Sequence, residues 1–252
     1  MLSDLAGTVE VATWIIAYLM ILARLTFIMF FLPGIGEQVV PVRIRLMALL
    51  GVSATFAMAG IAPTVPPITG STDLLLLLLT EIAIGFVLGA VIRVAIWMLT
   101  IAGEVIAQSI GLANFLGVAM ETEAQTVVSN LLAMAGAALL LSVDFHLSAL
   151  VGVLRLYNDI PIGALAMLDI ELAVDSLFAG FGFALLIAWP FAAVNLLYQI
   201  CLGFINKALP QLMVAFVGAP FMVGAGLVLM AVSIVALLMV WQSRVFDLVL
   251  FL

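Results

Sequence analysis

Apolar residues in this chain come in long blocks separated by short clusters of proline, glycine and charge. The first block, residues 11–32, is long enough for a helix to cross a hydrocarbon layer about 30 Å thick. Arg24 interrupts it. An arginine at the centre of such a layer costs about 2.5 kcal/mol or more on insertion scales, and less where it can reach the interface. Two readings of Arg24 therefore stand level: a snorkelling side chain, or a contact to another helix. Pro33-Gly34-Ile35-Gly36 ends the block with strong helix-breaking chemistry. The connection runs through Glu37 and Pro41 to Arg43 and Arg45, where a second apolar block begins and continues to residue 61. Two arginines in one short connection make it the best candidate for the cytoplasmic side. Pro63, Pro66, Pro67 and Gly70 then predict a stiff turn.

Residues 74–120 are too long for a single crossing. Two layouts are open: a hairpin turning near residues 100–103, or one long helix that leaves the membrane. Gly85-x-x-x-Gly89 is a close-packing signal, though a common one in membrane helices. Glu81, Arg93 and Glu104 lie in the same block, and charges at such depth face protein or water. Arg93 and Glu104 are eleven residues apart, on nearly one face but about three turns distant, so each needs another partner.

The end of that block organises the reading of the rest. Gly103, Ala107 and Gly111 recur at helical spacing, with Glu104 and Gln108 beside them. Small and polar residues on one stripe allow close backbone approach and interhelical hydrogen bonds. The stripe is expected to face protein rather than lipid. The pattern breaks at Glu121-Thr122-Glu123-Ala124-Gln125 and resumes over residues 127–143.

Residues 144–175 are the least apolar stretch, with an interfacial helix expected near residues 147–156. His146, the single histidine, reads as a helix-end residue, because no partner lies at metal-binding or catalytic spacing. The next block, residues 177–205, carries Pro190, Asn195 and Gln199, and the proline predicts a kink or a division. Residues 206–211, with Lys207, Pro210 and Gln211, break the chain. The last block, residues 213–240, is expected to be interrupted at Gly218-Ala219-Pro220. Trp241, Gln242 and Arg244 read as its interfacial end. Six broken apolar segments result.

Composition sharpens this picture. Of 252 residues, 67% are hydrophobic and 8% charged, against roughly 25% charged in a soluble domain. The chain is therefore an integral membrane or membrane-assembled protein, expected to form one helical domain over residues 1–252. Its net charge of -7 argues against nucleic-acid binding and against a polybasic lipid anchor. The N-terminal Met1-Leu2-Ser3-Asp4 lacks a basic region, which predicts an uncleaved first helix. Cys201, the single cysteine, is expected to be a small buried residue. No Cys/His cluster, HExxH or phosphate-cradling glycine loop occurs, so no catalytic residue, cofactor or metal is expected. Broken helices with charges at membrane depth would also suit a small-solute secondary transporter, but no pair of corresponding breaks divides the chain into repeats.

Three stretches carry a family likeness: residues 24–45 (RLTFIMFFLPGIGEQVVPVRIR), 103–111 (GEVIAQSIG) and 206–226 (NKALPQLMVAFVGAPFMVGAG). In this order they resemble the FliR family of the flagellar type III protein-export gate, with injectisome homologues as near relatives. Two departures stand out. Glu121-Thr122-Glu123 replaces the family's usual aspartate–proline pair, and Lys207 stands where arginine is frequent. The resemblance implies an all-α, polytopic protein of kinked helical hairpins within an export gate. It implies assembly with FliP-like and FliQ-like subunits and an FlhB-like switch protein, in the basal body at the bacterial inner membrane, with secreted flagellar subunits in transit. Assembly or gate roles are expected of Arg24, Pro33, Gly34, Pro41, Arg43, Arg45, Arg93, Gly103, Glu104, Gln108, Gly111, Lys207, Pro210, Gln211, Gly218 and Pro220.

Overall fold

The computed structural model describes residues 2–37, 39–58, 66, 68, 70–111, 127–208 and 214–250. Among the described residues there are seven α-helices and no strand. They are α1 (Leu2–Phe31), α2 (Val42–Met58), α3 (Ser71–Ser109), α4 (Val127–Ser142), α5 (Phe145–Asp159), α6 (Ile170–Ala208) and α7 (Val214–Leu250), with a 3₁₀ turn at Leu165–Met167 before α6. The protein is thus all-α and polytopic. The six apolar blocks each appear as a helix, and α5 is the additional one. By length and composition α1, α3, α6 and α7 can each cross a membrane, and the α4–α5 pair, bent by 70°, makes a fifth span if it is a broken one. The 17 residues of α2 reach only about 26 Å, short of the hydrocarbon core.

Helix ends follow local chemistry. After α1, Gly34 adopts φ 86°, and Gly36 N–H donates to the Leu32 carbonyl at 2.7 Å, closing the last turn. Pro41 opens α2, and its carbonyl accepts from Ile44 and Arg45 N–H. Asp169 accepts from Leu172 N–H at 3.0 Å and so caps α6, with Glu171 in the first turn.

Several expectations are corrected. The hairpin near residues 100–103 does not form: α3 runs unbroken for 39 residues, about 58 Å. It contains no proline, and a lone glycine leaves every backbone hydrogen bond in place. Gly218-Ala219-Pro220 does not interrupt the last block, and Pro190 does not divide α6: both prolines lie inside continuous helices. A proline removes one backbone hydrogen bond, whereas abandoning the helix in an apolar medium would strand several. Cys201 is exposed rather than buried. The break read at residues 206–211 begins later, because α6 continues through Ala208; residues 209–211, the break at 121–125 and Pro63 fall outside the described residues.

By internal contacts the chain forms two compact units. The first comprises Met1–Val94, Leu140–Leu177 and Leu248–Leu252. Its core is built from Met20, Leu25 and Ile28 of α1, Ile84 and Ile92 of α3, and Phe145 of α5. Helix α5 is amphipathic, burying Phe145, Ala149, Val153 and Tyr157 at four-residue intervals. The second unit comprises Ala95–Leu139 and Phe178–Asp247. It buries Ala95, Leu99 and Ile106 of α3, Leu132 of α4, Ala184 of α6, and Trp241 of α7.

Candidate functional site

Close helix approach creates the first unit's buried site. A Cβ on Gly85 would strike the Arg24 carbonyl oxygen, and one on Gly89 would lie 2.9 Å from the Phe27 carbonyl oxygen. The Gly85-x-x-x-Gly89 signal is therefore the seam between α3 and α1. Phe27 and Phe31 of α1 meet Phe86 of α3 beside it, with ring centroids 5.4 and 5.8 Å away. Arg24, at this seam, is fully buried, which removes the snorkelling reading.

Arg24 is held on every side. Its Nε donates to Glu81 Oε2 at 2.7 Å and Nη2 to Glu81 Oε1 at 3.0 Å. Nη1 donates to the Ile160 carbonyl at 2.9 Å and Nη2 also to that of Pro161 at 3.4 Å. The guanidinium lies 4.2 Å from the centroid of the Tyr157 ring. Glu81, equally buried, also accepts from Gly163 N–H at 2.9 Å. The bidentate pair thus ties α1, α3 and the segment after α5 together. Burying a charge is tolerable only with a partner and satisfied hydrogen bonds, and both charges here have them. Arg24 was legible in the sequence; Glu81 was visible only as a charge at depth, and nothing in spacing paired two residues 57 positions apart.

The break between α1 and α2 is held by two further arginines. Arg93 of α3 donates from Nη1 to Glu37 Oε1 at 2.7 Å. Arg45 of α2 donates from Nε to the Val40 carbonyl at 3.0 Å and lies over the Phe30 ring. Gly34 lies against Leu141 of α4, whose side chain a Cβ would meet at 2.6 Å. Pro33, Gly34, Pro41, Arg45 and Arg93 therefore belong to one local arrangement, while Arg43 is exposed on α2.

The second unit carries the small-and-polar stripe. A Cβ on Gly103 would lie 2.5 Å from the Ser129 Cα, so α3 and α4 touch backbone to backbone there. Ala107 is buried and Glu104 half-buried. Gly111 does not extend the seam. Nothing lies within 4 Å of its Cβ position, and its φ of 75° marks the turn that ends α3. Trp241 is wholly buried rather than interfacial. Its ring and the Leu99 side chain pack against Gly136, and Nε1 donates to the Ala95 carbonyl at 2.8 Å. Tryptophan is common at membrane surfaces, and only packing distinguishes this one from a belt residue.

Gln108 is exposed at the end of α3. With Gly111, Asn195, Tyr198 and Gln199 it lines a cavity of about 250 Å³, closed on another side by Met222 of α7. The Tyr198 hydroxyl is buried against Gly218 and has no hydrogen-bond partner among the described residues. Pro220 and Lys207 are exposed, and Pro210 and Gln211 lie outside the described residues. Among the described residues no group of three or more His, Cys, Asp and Glu side chains could hold a metal ion.

Comparison with known proteins places the chain among bacterial export proteins. A "Flagellar biosynthetic protein FliR" of Caulobacter vibrioides is 29% identical over 230 residues, covering 89% of this chain and 91% of that protein. Proteins of the same name from Aquifex aeolicus and Escherichia coli are 26% and 28% identical, covering 88% and 87% of this chain and 86% and 84% of theirs. The profile described as "Bacterial export proteins, family 1" matches residues 15–248, which include the paired arginines, the α3 stripe and both long C-terminal helices. With nearly its whole length matched, the chain belongs to that family of bacterial export proteins.

Proposed function

We propose that this chain is a structural core subunit of the flagellar type III protein-export gate in the bacterial inner membrane. The observation that carries the reading is the end-to-end family match, shared with relatives named as flagellar biosynthetic proteins. Residues 1–252 act as one gate domain, and the chain supplies part of the wall past which flagellar subunits are secreted. Its partners are FliP-like and FliQ-like membrane subunits and an FlhB-like switch protein. The chain works by shape and contact, with no catalytic step.

Within this reading the candidate residues divide by task. Arg24 joins α1 to α3 and to the segment after α5, and Arg45 and Arg93 hold the break between the first two helices, together with Pro33, Gly34 and Pro41. Gly103 and Gly218 permit close packing, and Gly111 ends α3. Exposed Arg43, Gln108, Lys207 and Pro220, and half-buried Glu104, are assigned to contacts with neighbouring subunits, and Pro210 and Gln211 keep the assembly role expected from the sequence. Exposed apolar side chains on α6 and α7, such as Phe178, Leu186, Phe204 and Phe221, supply the area that lipid or neighbours cover.

The test is a mild-detergent pull-down of the tagged chain, co-expressed with its genomic neighbours and read by native mass spectrometry. One copy of this chain with several copies of two small apolar partners is expected. A stable monomer or homodimer defeats the reading. For the stripe, Glu104→Ala with Gln108→Ala is expected to lower assembly and secretion together; unchanged secretion defeats that assignment.

A further inference from the structure

We propose that the cavity lined by Gln108, Asn195, Tyr198 and Gln199 receives an uncharged hydrogen-bonding side chain from a helix of a neighbouring membrane subunit. The inference rests on the export-gate reading for the existence of that neighbour, and goes beyond it in naming the contact.

The lining decides the chemistry. Three side-chain amides supply both donors and acceptors, and no charged residue faces the space. No hydrogen bond among the described residues engages the side chain of Gln108, Asn195 or Gln199, and the Tyr198 hydroxyl is buried without one. The Tyr198 hydroxyl is buried, Asn195 is half-buried, and Gln108 and Gln199 are exposed; polar groups without partners in an apolar setting call for an occupant. A carboxylate or ammonium would lose its hydration and meet no counter-charge. A hydrocarbon chain would fill the space and satisfy nothing. The cavity, about 250 Å³, is far larger than the roughly 30 Å³ share of one water, and has room for an Asn, Gln, Ser or Thr side chain.

The surroundings decide the carrier. On the same turns of α6, Leu196, Leu197 and Ile200 are exposed, as is Phe221 of α7. A polar pocket with an apolar rim matches how membrane helices join, by packing around a few interhelical hydrogen bonds. The rim would repel a water-soluble segment and accept an apolar helix with one polar side chain.

Cys201 supplies a built-in reporter, because it is the single cysteine, is exposed, and lies between Tyr198 and Leu202 on α6. The complete chain, alone and co-expressed with its gate partners, is purified in mild detergent and treated with N-ethylmaleimide. Labelling of Cys201 is expected to be at least tenfold slower in the assembly than in the chain alone. Asn195→Leu with Gln199→Leu is expected to keep the thermal midpoint of the isolated chain and to cut its share in assemblies at least fivefold. Asn195→Gln is expected to keep assembly. Equal labelling rates within a formed assembly overturn the proposal. So does slow labelling of the chain alone, which means that its own residues or lipid already cover the cavity. Normal assembly of the leucine pair also overturns it. Failure of the unaltered chain to assemble is seen before any variant is made; it defeats the export-gate reading itself and this site with it. The labelling comparison needs no variant, so a misfolded one does not blur the result.

Discussion

In the first unit a guanidinium and a carboxylate share a space closed to solvent, whereas in the second the comparable buried contacts are an indole N–H and backbone meeting backbone. Arg24 and Glu81 use five hydrogen bonds to join three parts of the chain. Trp241 uses one, to Ala95, and relies otherwise on filling volume. A buried charge pair tolerates one geometry, because any displacement strands a charge. Neutral groups and small-residue seams tolerate shifts of partner and register at lower cost. The first unit is thus the more exactly determined, and the second has uncharged polar groups left for other contacts. Exposure agrees: 44% of the apolar stretch of α1 is buried within the chain, against 17% of that of α7.

The comparison is easiest to break at the ion pair. Glu81→Ala leaves Arg24 buried without its counter-charge and is expected to destabilise the chain by about 3–5 kcal/mol. Arg24→Met together with Glu81→Met is expected to recover most of that loss, since the pair then disappears as a unit. Thermal unfolding of the detergent-solubilised variants measures both. A double variant no better than the single one would show that the charges themselves, and not their pairing, hold the unit.

Next in size are the seams. Gly85→Leu and Gly103→Leu each drive a side chain into a facing backbone and are expected to cost about 1–3 kcal/mol or a shifted helix. Proteolysis rates separate the two units here, because Gly85→Leu should open sites in the first and Gly103→Leu in the second. If either leaves proteolysis unchanged, that helix pair does not approach as closely as described.

Trp241→Phe keeps most of the volume and removes the hydrogen bond to Ala95, for an expected loss of about 1 kcal/mol. A loss as large as that of Glu81→Ala would erase the contrast between the units. Arg93→Ala should have the smallest effect, below about 1 kcal/mol, because Arg93 and Glu37 remain 20% and 25% exposed. It is better read by cysteine cross-linking between the break and α3, which should weaken while the melting point holds.

The sequence by itself determined the solvent, the helical class and most helix boundaries. So much apolar surface with so few charges has no soluble solution, and Pro33-Gly34, Pro41 and the polar stretch after residue 143 act over a few residues, where local sterics decide. It also marked Arg93 as needing a partner, and left Arg24 level between snorkelling and a contact to another helix. Which partners these are was decided by tertiary structure, since Glu81 and Glu37 lie 57 and 56 residues away and nothing local selects them. The same holds where local signals misled. Pro190 and Pro220 sit inside helices because leaving the helix would strand more backbone groups than one proline removes. Trp241 is buried because its ring packs beside Leu99 at Gly136 and bonds Ala95, and Gly111, with φ 75°, turns the chain at the end of α3. Local chemistry sets where a helix starts and stops, and only the packed chain sets what each helix face meets.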